Sequence, residues 1–168
     1  MGFKSIVRKF KDPYKVALEG GLNAGTGVSI MGGVNFGSEP WLITLGDYVR
    51  LSFNVTLITH DGGTWAFRDI PEFKDVISYG KIHIGAHTFV GANAIIMPGV
   101  KIGERCVIGA GSIVTHDIPD GMVAVGCPAK VINTTMKYAE KSLRECPNYD
   151  KEAYSKDKRT EILRVLKD

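Results

Sequence analysis

Nowhere in these 168 residues do eighteen apolar side chains follow one another, so no membrane-spanning helix is expected. The opening MGFKSIVRKFKDPYK lacks the apolar core and small-residue cleavage site of a secretory leader, which makes the cytoplasm the expected compartment. Charge of one sign is scarce: 21 basic against 18 acidic residues leave +3, too mild to argue for nucleic acid. Cysteine is scarce too. Cys106, Cys127 and Cys146 are odd in number, which argues against a disulfide framework, and they show no metal-ligand spacing.

Glycine and aliphatic residues are plentiful, and they are ordered. Ile84, Val90, Ile96, Ile102, Ile108 and Val114 stand six apart, and four are followed at once by Gly85, Gly91, Gly103 and Gly109. Neither a helix (period 3.6) nor an ordinary strand (period 2) demands a strict six. A chain that returns an apolar side chain inward every sixth residue is wound around an axis, with a short flat strand on each face. Hexapeptide repeats mark parallel β-helices, so the expected class is an all-β solenoid with short terminal helices. The glycine after each aliphatic residue is expected at a corner, through close backbone approach or positive φ. Cys106, fifth in its hexad, is expected to be a packed thiol.

The register predicts three segments. Residues 1–21 form a basic helical cap, with Phe3, Ile6, Val7 and Phe10 at helical spacing among Lys4, Arg8, Lys9 and Lys11. Such a segment can touch an acidic membrane surface peripherally. Capping the open end of the repeat array is the preferred reading, because a lone short helix binds lipid weakly. Residues 22–133 form the repeat domain. Leu22, Val28 and Val34 begin the register, GSEPWLIT (37–44) breaks it, and Leu45, Leu51 and Leu57 resume it. A longer break, residues 60–81, reads as a protruding loop, and long loops in compact domains are usually functional. The hexads end at THDIPDG (115–121), and a strand pair at 123–125 and 130–132 follows. Residues 134–168 are a polar helical tail, which Pro147 divides into helices near 134–145 and 151–166.

The string IGAHTFVGANAIIMPGVKIGERCVIGAGSIVTHDIPDGMVAVGCPAKVI (84–132) resembles the hexapeptide-repeat acyltransferases, in the branch of maltose, galactoside and xenobiotic O-acetyltransferases. LITHDGGTWAFRD (57–69) looks like the O-acetyltransferases that decorate bacterial capsule, lipopolysaccharide and other surface glycans. The resemblance implies a left-handed parallel β-helix of triangular section, assembled as a homotrimer with active sites in clefts between neighbours. It implies acetyl-CoA as co-substrate along the C-terminal coils, no metal, and a glycan or sugar acceptor.

His60 is the candidate general base. It follows NVTLIT where the chain departs from a rigid sheet edge, and the family carries its histidine just after such a strand. Transfer from a thioester to a hydroxyl needs a base, and neutral imidazole can take that proton and return it to the departing thiolate. Asp61 or a backbone carbonyl is the candidate for orienting the ring. His83 and His87 read as surface residues. The resemblance assigns donor contacts to Ala92, Ala110, Thr115, His116 (where the family has lysine) and Lys130. For the acceptor it points to Asn35, while Glu39, Trp41, Trp65, Phe67 and Arg68 are candidates to line the glycan cleft. Trp41 and Trp65 serve equally well as anchors of their loops.

Three rival readings make different demands on the sequence. A γ-class carbonic anhydrase shares the solenoid but needs a three-histidine zinc site, and Ala92 and Met97 stand at two of the histidine places. A catalytically silent trimeric scaffold would bind no acetyl-CoA. A small-molecule sugar or amino-sugar acceptor keeps acetyl transfer, but sugar-nucleotide N-acetyltransferases often append an N-terminal domain for which residues 1–21 are too short.

Overall fold

A computed structural model describes residues 12–166. The described residues divide into two compact units, the boundary falling between Thr135 and Met136. The helical spacing expected of Phe3, Ile6, Val7 and Phe10 falls outside the described residues. The described part of that segment holds a helix, α1 (Pro13–Glu19), with proline in its first turn and Asp12 capping it by accepting from the Tyr14 N–H.

The strands come in rotation. β1 (Asn23–Ala24) and β2 (Ser29–Ile30) are followed by Asn35, which bridges in parallel to Thr56. β3 (Ile43–Leu45), β4 (Arg50–Leu51) and β5 (Thr56–Leu57) make the next circuit. β6 (Ile82–Ile84), β7 (Phe89–Val90) and β8 (Ile95–Ile96) make another, then β9 (Lys101–Ile102), β10 (Val107–Ile108) and β11 (Ile113–Val114). β1, β3, β6 and β9 form one parallel sheet; β2, β4, β7 and β10 a second; β5, β8 and β11 a third. The chain thus visits three sheets in cyclic order, which is what the six-residue period demands. β12 (Met122–Gly126) joins the second sheet, and β13 (Ala129–Thr134) pairs with it antiparallel.

Where nothing intervenes, paired residues are 18 apart, as in His83 with Lys101. Across the first break Asn23 pairs with Thr44, 21 apart, so GSEPWLIT adds three residues to its circuit. Across the second, Leu45 pairs with Ile84, 39 apart, so the excursion adds 21. At THDIPDG the circuit loses two, because Val107 pairs with Val123. None of these changes alters which side chains face inward.

Two inward columns fill each face. Leu45, Leu51, Leu57, Ile84, Val90, Ile96, Ile102, Ile108 and Val114 are fully buried or nearly so. Each such side chain contributes about 1.5–3 kcal/mol through the water it leaves. The second column, at the fifth place of the hexad, holds Val49, Val55, Thr88, Ala94, Val100, Cys106 and Ser112, also buried. Pairing extended from β1 and β3 puts Leu22 over Ile43, so Leu22, Val28 and Val34 belong to this second column, two places from the register first assigned to them. The polar members are satisfied: Thr88 Oγ1 donates to Gly103 O (2.8 Å) and accepts from Cys106 N–H (3.0 Å). Burial pushes the Cys106 thiol up.

The corners divide the two roles expected of glycine. The residue after the aliphatic is there for close approach: a Cβ on Gly91 would lie 2.5 Å from Ala110 N. Positive φ falls two residues later, at Tyr48, Asn54, His87, Asn93 and Arg105. Asparagine tolerates that conformation best among residues with side chains.

In the second unit, α2 (Thr135–Glu145) ends before Pro147 as expected. The expected helix near 151–166 is instead α3 (Lys151–Lys156) and α4 (Lys158–Val165). Asp157 separates them because its carboxylate accepts from both the N–H and the hydroxyl of Thr160 and so starts a new helix. Among the described residues no helix is long and apolar enough to cross a membrane.

Candidate active site

The third sheet ends at an edge where two breaks in the register meet. β5 runs through Ile58 and buried Thr59 into His60, and the 60–81 excursion begins there. Its two ends are tied together. His60 bridges antiparallel to Tyr79, Asp61 N–H donates to Ser78 O (2.9 Å), and Gly80 N–H donates to Thr59 O (2.9 Å). The excursion folds first as a 3₁₀ turn, Gly62–Phe67, capped by Asp61, whose Oδ1 accepts from Gly63 N–H (2.8 Å).

One circuit earlier, the chain passes the same edge. Asn35 stacks on Thr56, and its Oδ1 accepts from Gly37 N–H (2.9 Å), bending the chain outward. Gly37 adopts φ +67°, and a Cβ there would stand 3.3 Å from both Leu57 O and Thr59 Oγ1. This approach carries Glu39 over Thr59 and His60. One carboxylate oxygen, Oε2, accepts from Thr59 Oγ1 (2.7 Å) and lies 2.8 Å from His60 Nδ1. The Thr59 hydroxyl first, then His60, hold the Glu39 carboxyl below its ordinary range. An ionised carboxylate can only accept, so Nδ1 carries the proton. Nε2 of the neutral ring then has a free lone pair.

The imidazole is half open, with its side chain 44% exposed against 13% for Glu39. It lines a cleft of about 250 Å³ shared with Asp61, Thr64, Trp65, Arg68, Ile77 and Tyr79. Arg68 Nη2 donates to Thr64 Oγ1 (3.2 Å), and the Tyr79 ring lies 5.9 Å from that of His60. Trp65 is 79% exposed.

The structure therefore gathers His60, Trp65 and Arg68 in one cleft. It gives Glu39 to the imidazole rather than to the cleft lining. Asp61, the sequence candidate for orienting the ring, is occupied with its own turn, and the group at Nδ1 is a side-chain carboxylate rather than a backbone carbonyl. Asn35 is engaged in its local turn, and exposed Trp41 lies in the 3₁₀ turn Pro40–Leu42. Register arithmetic could have found the Glu39 contact. The circuit between Asn35 and Thr56 is 21 residues, and Glu39 precedes His60 by the same count.

The donor candidates fall elsewhere along the repeat. Ala92 and Ala110 follow the second sheet and stack one circuit apart, with Gly111 N–H donating to Ala92 O (2.8 Å). Thr115 and His116 follow the third sheet, two circuits beyond His60, their Oγ1 and Nδ1 2.8 Å apart. Lys130 is exposed on β13. Within one chain His60 and the Ala92–Ala110 pair thus occupy different corners. Among the described residues no group of three or more histidine, cysteine or acidic side chains could hold a metal.

A family model described as the hexapeptide repeat of succinyl-transferase matches residues 81–116. Protein CapG of Staphylococcus aureus is 41% identical over 133 residues, which cover 79% of this chain and 76% of that one. Galactoside O-acetyltransferase of Escherichia coli K12 is 37% identical over 123 residues, 73% of this chain and 54% of that protein. Among solved structures, soybean serine acetyltransferase complexed with serine superposes with a TM-score of 0.53 at 30% identity, over 67% of this chain and 40% of that one. The chain thus spans about half the length of the galactoside enzyme and two-fifths of the serine enzyme. This chain is an acyltransferase. The chain belongs to the hexapeptide-repeat acetyltransferase family.

Proposed function

We propose that this protein is an acetyl-CoA-dependent O-acetyltransferase that modifies a sugar hydroxyl, on a bacterial surface polysaccharide or its precursor. The observation that carries the reading is the His60 ring, held through Nδ1 by Glu39 at 2.8 Å, half exposed and lining the cleft. His60 Nε2 takes the proton of the acceptor hydroxyl as that oxygen attacks the thioester carbonyl, then hands it to the departing thiolate. Glu39 fixes the tautomer and offsets the positive charge that the ring acquires during transfer. Transfer is direct, without an acetyl-enzyme.

The small Ala92 and Ala110 leave room for a pantetheine arm along the corner, and Lys130 offers a cation to the nucleotide phosphates. Acetyl-CoA would supply the activated acyl group there. Because this groove and His60 lie at different corners, the reading places the reaction between copies of a left-handed parallel β-helix arranged as a homotrimer, one lending His60 and its neighbour the groove. The likeness to an enzyme named for galactoside O-acetylation supports a sugar acceptor, and exposed Trp65 beside Arg68 offers a flat apolar face and a hydrogen-bond donor for one.

The test is thiol release from acetyl-CoA across neutral sugars, acidic sugars, oligosaccharides and serine. Release with a saccharide, falling about 10²–10⁴-fold in kcat for His60→Ala, is the expected result. Release with serine alone would overturn the sugar acceptor, and full activity of the variant would remove His60 from the chemistry.

A further inference from the structure

The third residue of each hexad between the second and third sheets forms a series: Gly32, Phe53, Ala92 and Ala110. Backbone hydrogen bonds stack its members. Asn54 N–H donates to Gly32 O (3.0 Å), Asn93 N–H to Phe53 O (2.9 Å) and Gly111 N–H to Ala92 O (2.8 Å). Three members have the smallest side chains, and one has a benzyl ring. Phe53 is 52% exposed and takes no part in the buried core, so packing of the fold does not call for it. Its ring leans over the preceding corner, with two carbons 3.8 and 4.0 Å from where a Cβ on Gly32 would sit. The Asn54 amide, 3.3 Å from Asn93 Oδ1, bonds down the same corner and helps to fix the level of this turn.

We propose that Phe53 is the end wall of the donor groove and limits the acyl group of the thioester to acetyl. The inference rests on the donor groove proposed above. A donor held at its phosphate end near Lys130 and passing Ala110 and then Ala92 reaches the circuit of Phe53 with its acyl end. His60 stands in that same circuit, seven residues further along the chain. The acyl carbonyl is then at the level of the base, and whatever extends past the carbonyl points at the ring. An acetyl methyl stops short of it. A butyryl chain must enter the volume the ring fills, and the cost of overpacking a filled site corresponds to about tenfold or more in affinity.

The experiment is calorimetric titration of wild-type protein, Phe53→Ala and Phe53→Trp with CoA, acetyl-CoA, butyryl-CoA and hexanoyl-CoA. No acceptor is needed, and the exposed position makes both variants mild for folding. Wild-type protein is expected to bind butyryl-CoA at least about tenfold more weakly than acetyl-CoA, and hexanoyl-CoA no better. Phe53→Ala is expected to shrink that ratio below about threefold, while Phe53→Trp keeps or widens it. Equal wild-type binding of acetyl and butyryl thioesters, or an unchanged ratio in Phe53→Ala, would overturn the wall. Absence of binding by CoA and all its thioesters to wild-type protein would instead sink the donor groove itself.

Discussion

Replacing Glu39 by glutamine and by alanine separates the two services that its carboxylate gives to His60. Both hydrogen bonds, from Thr59 Oγ1 and from His60 Nδ1–H, end on a single oxygen. A glutamine amide oxygen can accept both, so Glu39→Gln keeps the ring's orientation and tautomer and removes only the charge. Unit charges about 4 Å apart interact by about 1 kcal/mol in water and about 4 kcal/mol near a protein surface. The imidazole is 44% exposed and Glu39 13%, so solvent screens much of this. A loss of about 1–2 kcal/mol remains, or about 5–30-fold in kcat. Glu39→Ala removes the orienting acceptor as well and is expected to lower kcat by about 10²–10³-fold, approaching His60→Ala. It also strands the buried Thr59 hydroxyl, at a cost to stability of about 1–3 kcal/mol. Thiol release with a saccharide accepted in the panel, alongside circular dichroism, measures both effects. A wild-type kcat in Glu39→Ala, or a loss in Glu39→Gln as large as in His60→Ala, would refute the reasoning.

Three other outcomes follow from the same geometry. Because the Glu39 carboxyl titrates lower in the folded chain than in the unfolded one, its stabilising contribution is complete above the ordinary carboxylate range and fades as acid takes the pH through the depressed value. The urea-midpoint difference between wild type and Glu39→Gln should therefore hold steady above about pH 5 and narrow below it. Gly91→Ala drives a methyl to within 2.5 Å of Ala110 N, whereas Gly62→Ala meets nothing within 4 Å. Thermal denaturation should show a fall of several degrees for the first and almost none for the second. Ile102→Ala, in the inward column with no exposure, should cost about 2–5 kcal/mol in urea unfolding.

The strict six of Ile84 to Val114 made the three-sheet rotation legible, because only a strand visited once per hexad keeps those side chains inward. The site was legible in part. His60 announced itself by standing where the register fails, and Trp65 and Arg68 followed because they occupy the same excursion. Glu39 also stands in a break, yet its role was hidden. A carboxylate beside a tryptophan reads equally as a cleft lining, and only the 21-residue circuit puts it over the imidazole. The register of Leu22, Val28 and Val34 was misread because both inward columns are apolar in that first circuit, the other being Ala24, Ile30 and Phe36. Nothing but cross-strand pairing distinguishes them. The break at Asp157 was missed because its surroundings keep helical composition, and the capping carboxylate is what interrupts them.

The excursion between Thr59 and Gly80 leaves and re-enters the fold at neighbouring points, tied by 2.9 Å hydrogen bonds from Gly80 N–H to Thr59 O and from Asp61 N–H to Ser78 O. The sheets on either side, Leu45 against Ile84 and Leu57 against Ile96, close as though the inserted stretch did not exist. Its contents are therefore interchangeable without disturbing phase elsewhere. A scaffold so arranged can trade one recognition module for another by splicing at a fixed doorway, keeping the base at the threshold while what it greets changes.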